Sequence, residues 1–228
     1  MTAHPQSLHV TNFQDLVDTP FQGAINAIGW ERKLIGDFAE LVAKIARNGN
    51  VTVVEQSQLL ALELSEQGQL ARDIILNDWK LLEAHGASPL LNVIEYYDRD
   101  EDFPFFPTDV YSFHVDRSPI PTATFLCTYY GEPSEIIPNA QCVQKILVPE
   151  IRAALKELYD GEDDGFEAFL TEYFFDLHYQ AKPNAQPINL GLGNLWRLAV
   201  DYPGSPVLPC VHRAPHEKAE QPRLLMIC

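Results

Sequence analysis

Leu90-Leu-Asn-Val-Ile-Glu-Tyr-Tyr97 is where the period of the chain changes. It is rich in β-branched and aromatic residues and follows Pro89, so it reads as a strand. Upstream the apolar residues recur at helical spacing. Leu34 to Ala46 carries Leu34, Phe38, Leu41, Val42 and Ile45 on one face and is stopped by Asn48-Gly-Asn50. Ser57 to Leu64 and Leu70 to Leu82 repeat the pattern, with Gly68 between them and His85-Gly86 at the end. Ala24 to Trp30 reads as one short strand ahead of these helices. Downstream, Val110–Val115 and Thr122–Tyr130 are strands, and Val148–Tyr159 and Phe166–His178 return to helical spacing. Strands resume at Pro187–Leu190, Leu195–Val200, Val207–Val211 and Arg223–Ile227. Helices first and many short strands later imply an α+β domain with a sandwich or barrel core. The expected organisation is one domain over residues 1–228. Residues 1–88 form a helix-rich support, and residues 89–228 form a β core with a helical insertion at about 140–180.

Composition narrows the function. Thirty-two acidic against 16 basic residues give a net charge of −16, a field that repels phosphate backbones and anionic membrane surfaces. Nucleic acid and membrane are therefore not expected partners. No apolar run approaches the ~18 residues of a membrane span, and the first residues lack the basic and apolar regions of a signal peptide. Four cysteines (Cys127, Cys142, Cys210, Cys228) show no paired spacing, which fits free thiols in a reducing cytoplasm. Oligomeric state is not readable.

Tyr111-Ser-Phe-His114-Val-Asp116 sets an imidazole and a carboxylate two residues apart on a strand. At that spacing both side chains share a face and can hold one ion, and the donor types suit Fe(II), Mn(II) or Zn(II). The structural alternative is a strand-end His beside an Asp that accepts a turn amide. Val211-His212-Arg-Ala-Pro215 supplies a second imidazole, with His216 as its competitor. Cys210 would share a strand face with His212, and a thiolate there would favour zinc. Arg223 opens an apolar strand, where a buried guanidinium calls for an anion. That anion is either the carboxylate of a ligand or a local Glu217 or Glu220. Arg117, next to Asp116, could pair with the acidic loop 98–102 or with an acidic substrate. Phe103-Pro-Phe-Phe-Pro107 is either a lid or a loop pinned by its own aromatics. His178 reads as a helix-face residue, and His4 and His9 fall in a loose terminus. Trp30, Trp79 and Trp196 read as core.

His114-Val-Asp116, Gly193-Asn-Leu-Trp-Arg-Leu198, His212 and Arg223 together resemble the double-stranded β-helix (cupin or jelly-roll-like) core of the 2-oxoglutarate- and Fe(II)-dependent dioxygenases. The resemblance implies an oxidoreductase in which His114, Asp116 and His212 bind Fe(II). It also implies that Arg223, with Tyr129 or Tyr130, binds 2-oxoglutarate. Leu225 departs from that pattern, which often has Ser or Thr two residues after the Arg. A metal binder without catalysis, holding zinc on the same scaffold through Cys210 or His216 as a fourth ligand, is the alternative. The whole chain also resembles an uncharacterised bacterial family, through Ile25-Asn-Ala-Ile-Gly-Trp-Glu-Arg32, Phe113-His-Val-Asp-Arg117, Cys127-Thr-Tyr-Tyr-Gly131, Val211-His-Arg-Ala-Pro215 and Pro222-Arg-Leu-Leu225. That likeness carries no known activity.

Overall fold

A computed structural model describes residues 6–100, 102–216, 218 and 221–228. In chain order the elements are β1 (Ser7–Val10), α1 (Phe13–Asp18), β2 (Ala27–Trp30), α2 (Phe38–Lys44), β3 (Val51–Val54), α3 (Gln56–Ala61), α4 (Glu66–Ala84), β4 (Leu90–Ile94), β5 (Phe113–His114), β6 (Ala123–Tyr130), β7 (Glu135–Ile136), β8 (Cys142–Gln144), α5 (Pro149–Leu158), α6 (Phe166–Glu172), β9 (His178–Ala181), β10 (Ile188–Asn189), β11 (Leu195–Ala199), β12 (His212–Arg213) and β13 (Arg223–Ile227). Seven strands make a large sheet in the order β1-β2-β11-β6-β13-β4-β3, and six make a small one in the order β10-β7-β12-β5-β9-β8. Every pairing between these strands is antiparallel except β1 with β2. The α+β expectation holds, and the two sheets are compatible with a jelly-roll-like sandwich. No helix among the described residues is long and apolar enough to cross a membrane.

The large sheet is covered on both faces, which is why β6 reads Ala-Thr-Phe-Leu-Cys-Thr-Tyr-Tyr with little polar alternation. Phe125, Cys127 and Tyr129 point to the helices, where they meet Leu41, Ile75, Trp79 and Leu82. Leu126 points the other way, into a cluster between the sheets with Ala27, Ile136, Trp196, Leu198, Cys210 and Leu225. Gly29 makes that second layer possible: a Cβ there would lie 2.8 Å from the Trp196 ring, its cross-strand neighbour. Trp79 and Trp196 are core, as expected. α4 starts one turn earlier than the expected Leu70 and takes Gly68 inside it, because the Ser65 side chain accepts from the Gly68 amide and Glu66 sits in the first turn.

Several expectations need correction. The first 88 residues are more than helical support, because β1, β2 and β3 lie at both edges of the large sheet. β2 falls within the strand read at 24–30, whereas β1 and β3, four residues each, are too short to show a period. His9 lies in β1 with its ring edge-on to Trp196, so this part of the N-terminus is packed; His4 lies outside the described residues. α2 begins at Phe38, since Asp37 caps it by accepting from the Glu40 amide. The helix expected to run to His178 ends at Glu172, and His178 opens β9. Val207–Val211 forms no strand; Pro206 and Pro209 lack the N–H a ladder needs. This segment is tied down by Cys210 N–H to the Ala199 carbonyl and by Ile137 N–H to the Val211 carbonyl, 2.8 and 2.9 Å.

The aromatic loop before β5 is pinned and is not a free lid. Phe106 is fully buried against Phe166, Leu170 and Phe175, so the loop is fastened to the α5–α6 insertion.

Candidate metal centre

His114 and His212 are brought together by pairing β5 with β12, where they stand directly opposite in register. Their rings are 4.5 Å apart. Phe113 and Val115 face the outer apolar layer of the small sheet, so alternation turns His114 and Asp116 inward. On β12 the same alternation puts Val211 outside and His212 inside. Arg213 fixes the register from the outer side. Its Nε and Nη2 donate to Glu135 at 2.9 and 2.7 Å, and its guanidinium lies over the Phe113 ring. One ligating atom each from His114, Asp116 and His212 lies within 4.8 Å of the others.

Both imidazoles are held in the tautomer a metal requires. His114 Nδ1 lies 2.8 Å from the Ser112 carbonyl and His212 Nδ1 3.2 Å from the Cys210 carbonyl. Each Nδ1–H donates to the carbonyl two residues upstream, which leaves Nε2 with its lone pair. His212 Nε2 is 3.7 Å from Asp116 Oδ2. The Thr124 hydroxyl, from the inner face of β6, donates to the same oxygen. Burial is the main force on His114, and with the neighbouring His212 it pulls the imidazole down to about 4. For Asp116, burial opposes ionisation, but His212, the Thr124 hydroxyl and His114 outweigh it and hold the carboxyl below its ordinary value. The site therefore sets two imidazoles, His114 neutral, beside a carboxylate, the donor set of a divalent-metal centre.

The other expected residues fall elsewhere. Cys210 shares the inward face with His212, but its thiol packs in the apolar layer between the sheets, and burial keeps it protonated. His216 stacks flat on Tyr111 and contacts Arg99. Neither joins the three ligands. Arg117 binds Asp176 and Asp201, correcting the expectation of the 98–102 loop or a substrate.

Tyr129 and Tyr130 are on the wrong side for the co-substrate role. The register of β6 with β13 shifts between Leu224 and Leu225, a bulge that accommodates one extra residue in β6. Both tyrosines pack with the helix-side cluster. The Tyr129 hydroxyl donates to buried Asp78 at 2.6 Å, and Arg32 holds the same carboxylate through both of its terminal nitrogens. Arg223 is 2 % exposed; its Nε donates to the Glu132 carbonyl at 2.7 Å and its Nη2 to the Ser134 hydroxyl at 3.0 Å. Glu217 and Glu220, the local alternatives for its partner, lie outside the described residues.

Two contributors were missed in the sequence. Thr124 was visible as a polar residue interrupting an apolar strand at an inward position. His178 was hidden because its segment was read as helix; it stands opposite His114 across β9, with rings 5.8 Å apart. Comparison with protein families, with curated proteins and with solved structures gave no match.

Proposed function

We propose that this protein holds one divalent metal ion through His114, Asp116 and His212, and that it is an Fe(II)- and 2-oxoglutarate-dependent oxygenase of the double-stranded β-helix type. The observation that carries the reading is the convergence of two tautomer-fixed imidazoles and one carboxylate, all within 4.8 Å, on the inner face of the small sheet. A bound Fe(II) would supply open coordination positions for a keto acid and dioxygen. The chain supplies the rest. The Thr124 hydroxyl orients Asp116, the Ser112 and Cys210 carbonyls orient the two rings, and the apolar layer around Cys210 and Leu225 keeps water from that side. Arg223, buried at the start of β13, is the cation assigned to the distal carboxylate of the keto acid. Leu225 adds no hydrogen bond there.

The geometry favours this reading over a closed zinc site. A structural zinc site has four protein ligands and a catalytic one keeps a position open. Cys210 and His216, the residues available for closure, are not gathered with the three. The test is anaerobic addition of Fe(II) to the metal-free protein with and without 2-oxoglutarate. A visible charge-transfer band that needs both components and disappears in Asp116→Ala is the expected result. Tight zinc retention with no response to 2-oxoglutarate would reject the oxygenase.

A further inference from the structure

Three imidazoles form a row on the inner face of the small sheet. His212, His114 and His178 occupy adjacent strands β12, β5 and β9 in direct register. The first two have their ring nitrogens committed, one to a backbone carbonyl and one toward the metal position. His178 differs. It is only 4 % exposed, and its Nδ1 is buried with no hydrogen-bond partner among the described residues. Buried polar atoms are almost always paired, so an orphaned one beside a metal centre marks a position that a ligand fills.

A cation stands on the same side. Lys145 lies with its ammonium 4.7 Å from the centre of the Phe106 ring, and Phe106 in turn meets the His178 ring. Its Nζ donates to the Pro107 carbonyl at 3.1 Å and to the Ser112 hydroxyl at 2.7 Å, both neutral acceptors. No carboxylate among the described residues comes within ion-pair distance of it. The nearby acids are spent on their own loop. Asp100 accepts from the Thr108 amide and hydroxyl and from the Asp102 amide, while Asp109 accepts from the Tyr111 and Ser112 amides. Asp109 and Asp100 act on the ammonium only through space, so in a chain of net charge −16 this half-buried lysine has no carboxylate bonded to it among the described residues.

We propose that His178 and Lys145 form a carboxylate-binding subsite beside His114, each donating to one oxygen of a small carboxylic acid. The subsite rests on the metal reading only in placing that acid next to the metal, and its assignment to substrate rests on the proposed co-substrate role of Arg223. Arg223 is already assigned to the co-substrate, so the subsite is assigned to the substrate, which is therefore a carboxylate-bearing small molecule.

The experiment uses the full chain, metal-free and loaded with Co(II), and follows acetate, propionate and succinate binding by ligand-observed NMR. Wild-type protein is expected to bind at least one of them. Lys145→Met and His178→Gln should each weaken that binding to the metal-free protein about tenfold or more, the loss expected for a charge-assisted hydrogen bond. If Lys145→Met loses its circular dichroism signal, Lys145→Gln carries the same comparison. Binding that survives saturation with 2-oxoglutarate supports the substrate assignment; binding abolished by it transfers the carboxylate to the co-substrate and overturns that assignment. Equal binding by wild type and both variants, or no carboxylate binding by wild type in either form, overturns the subsite. Absence of Co(II) binding by wild type rejects the metal reading alone, and carboxylate binding lost in Lys145→Met would still support the subsite.

Discussion

Replacing Thr124 by Val removes one hydroxyl and keeps the shape of the side chain. That hydroxyl donates to Asp116 Oδ2, the oxygen that also lies 3.7 Å from His212 Nε2. A hydrogen bond to a charged group contributes about 1.5–3 kcal/mol. The Asp116 side chain is 36 % exposed, so solvent screening favours the lower end. About 1.4 kcal/mol is a factor of about ten in affinity, in line with the ~10–100-fold losses seen when groups supporting metal ligands are removed. The assay is calorimetric titration of Mn(II) into wild-type and Thr124→Val protein at pH 7, with urea melts of both to establish that the fold is intact. A dissociation constant about tenfold higher is expected. The same change should lower the stability of the metal-free protein at pH 7 and make less of that stability depend on pH. A carboxyl held below its unfolded value contributes stability that is present above about pH 4 and lost as pH falls through its folded value. Without the hydroxyl that contribution is smaller, so the variant should lose less stability than wild type as pH falls below about 4. Equal Mn(II) affinities with equal melts would refute the claim that Thr124 orients the ligand.

Arg32→Met leaves the Asp78 carboxylate buried with no cation against it, so it should cost about 3–5 kcal/mol in urea unfolding, and Asp78→Leu in the same chain should recover much of that loss. A cost below about 1 kcal/mol would show that the pair is not desolvated. His114 and His178 are pulled by burial to about 4 and about 3, below the ordinary imidazole value. The unfolded chain therefore binds more protons below about pH 6.5, and metal-free protein should lose stability as pH falls from there toward 4. His178→Gln should flatten that slope, and melts at pH 7 and pH 5 that differ equally in variant and wild type would contradict it. Gly131 has φ +84°, and a Cβ there would lie 2.6 Å from the Pro222 carbonyl and 3.0 Å from Arg223. Gly131→Ala should therefore destabilise by more than about 1 kcal/mol and, on the proposed assignment of Arg223, weaken 2-oxoglutarate binding by displacing that side chain; unchanged melting would show that the turn relaxes.

How much of the site was legible depended on whether the signal was local. His114 and Asp116 could be paired from spacing alone, because an extended segment has a period of two and residues two apart share a face where no bulge intervenes. Their inward direction followed from Phe113 and Val115 taking the outer face. His212 was legible as a candidate but indistinguishable from His216, four positions later. Register decided between them: β12 pairs with β5 at His212, while the chain has left the sheet by His216 and stacks it on Tyr111. Tyr129 follows Phe125 and Cys127 to the helix side by simple alternation, and Tyr130 joins it there because a bulge against a strand distant in sequence reset the alternation at the end of β6. His178 was misread because Phe166 to Leu177 is aromatic and turn-rich, and its partner strand β5 lies some sixty residues earlier.

The sequence by itself determined the α+β class, the strands that begin at Leu90 and near Thr122, and the spacing that pairs His114 with Asp116. These depend on periodicity and side-chain alternation, which act over a few residues. Only the tertiary structure decided that β1 to β3 join the large sheet, that Arg117 serves Asp176 and Asp201, and that Thr124 and His178 stand with the ligands. Each of those depends on which strands become neighbours. That choice is made by burying both faces of the large sheet at once, a condition on the whole chain that no short window of residues contains.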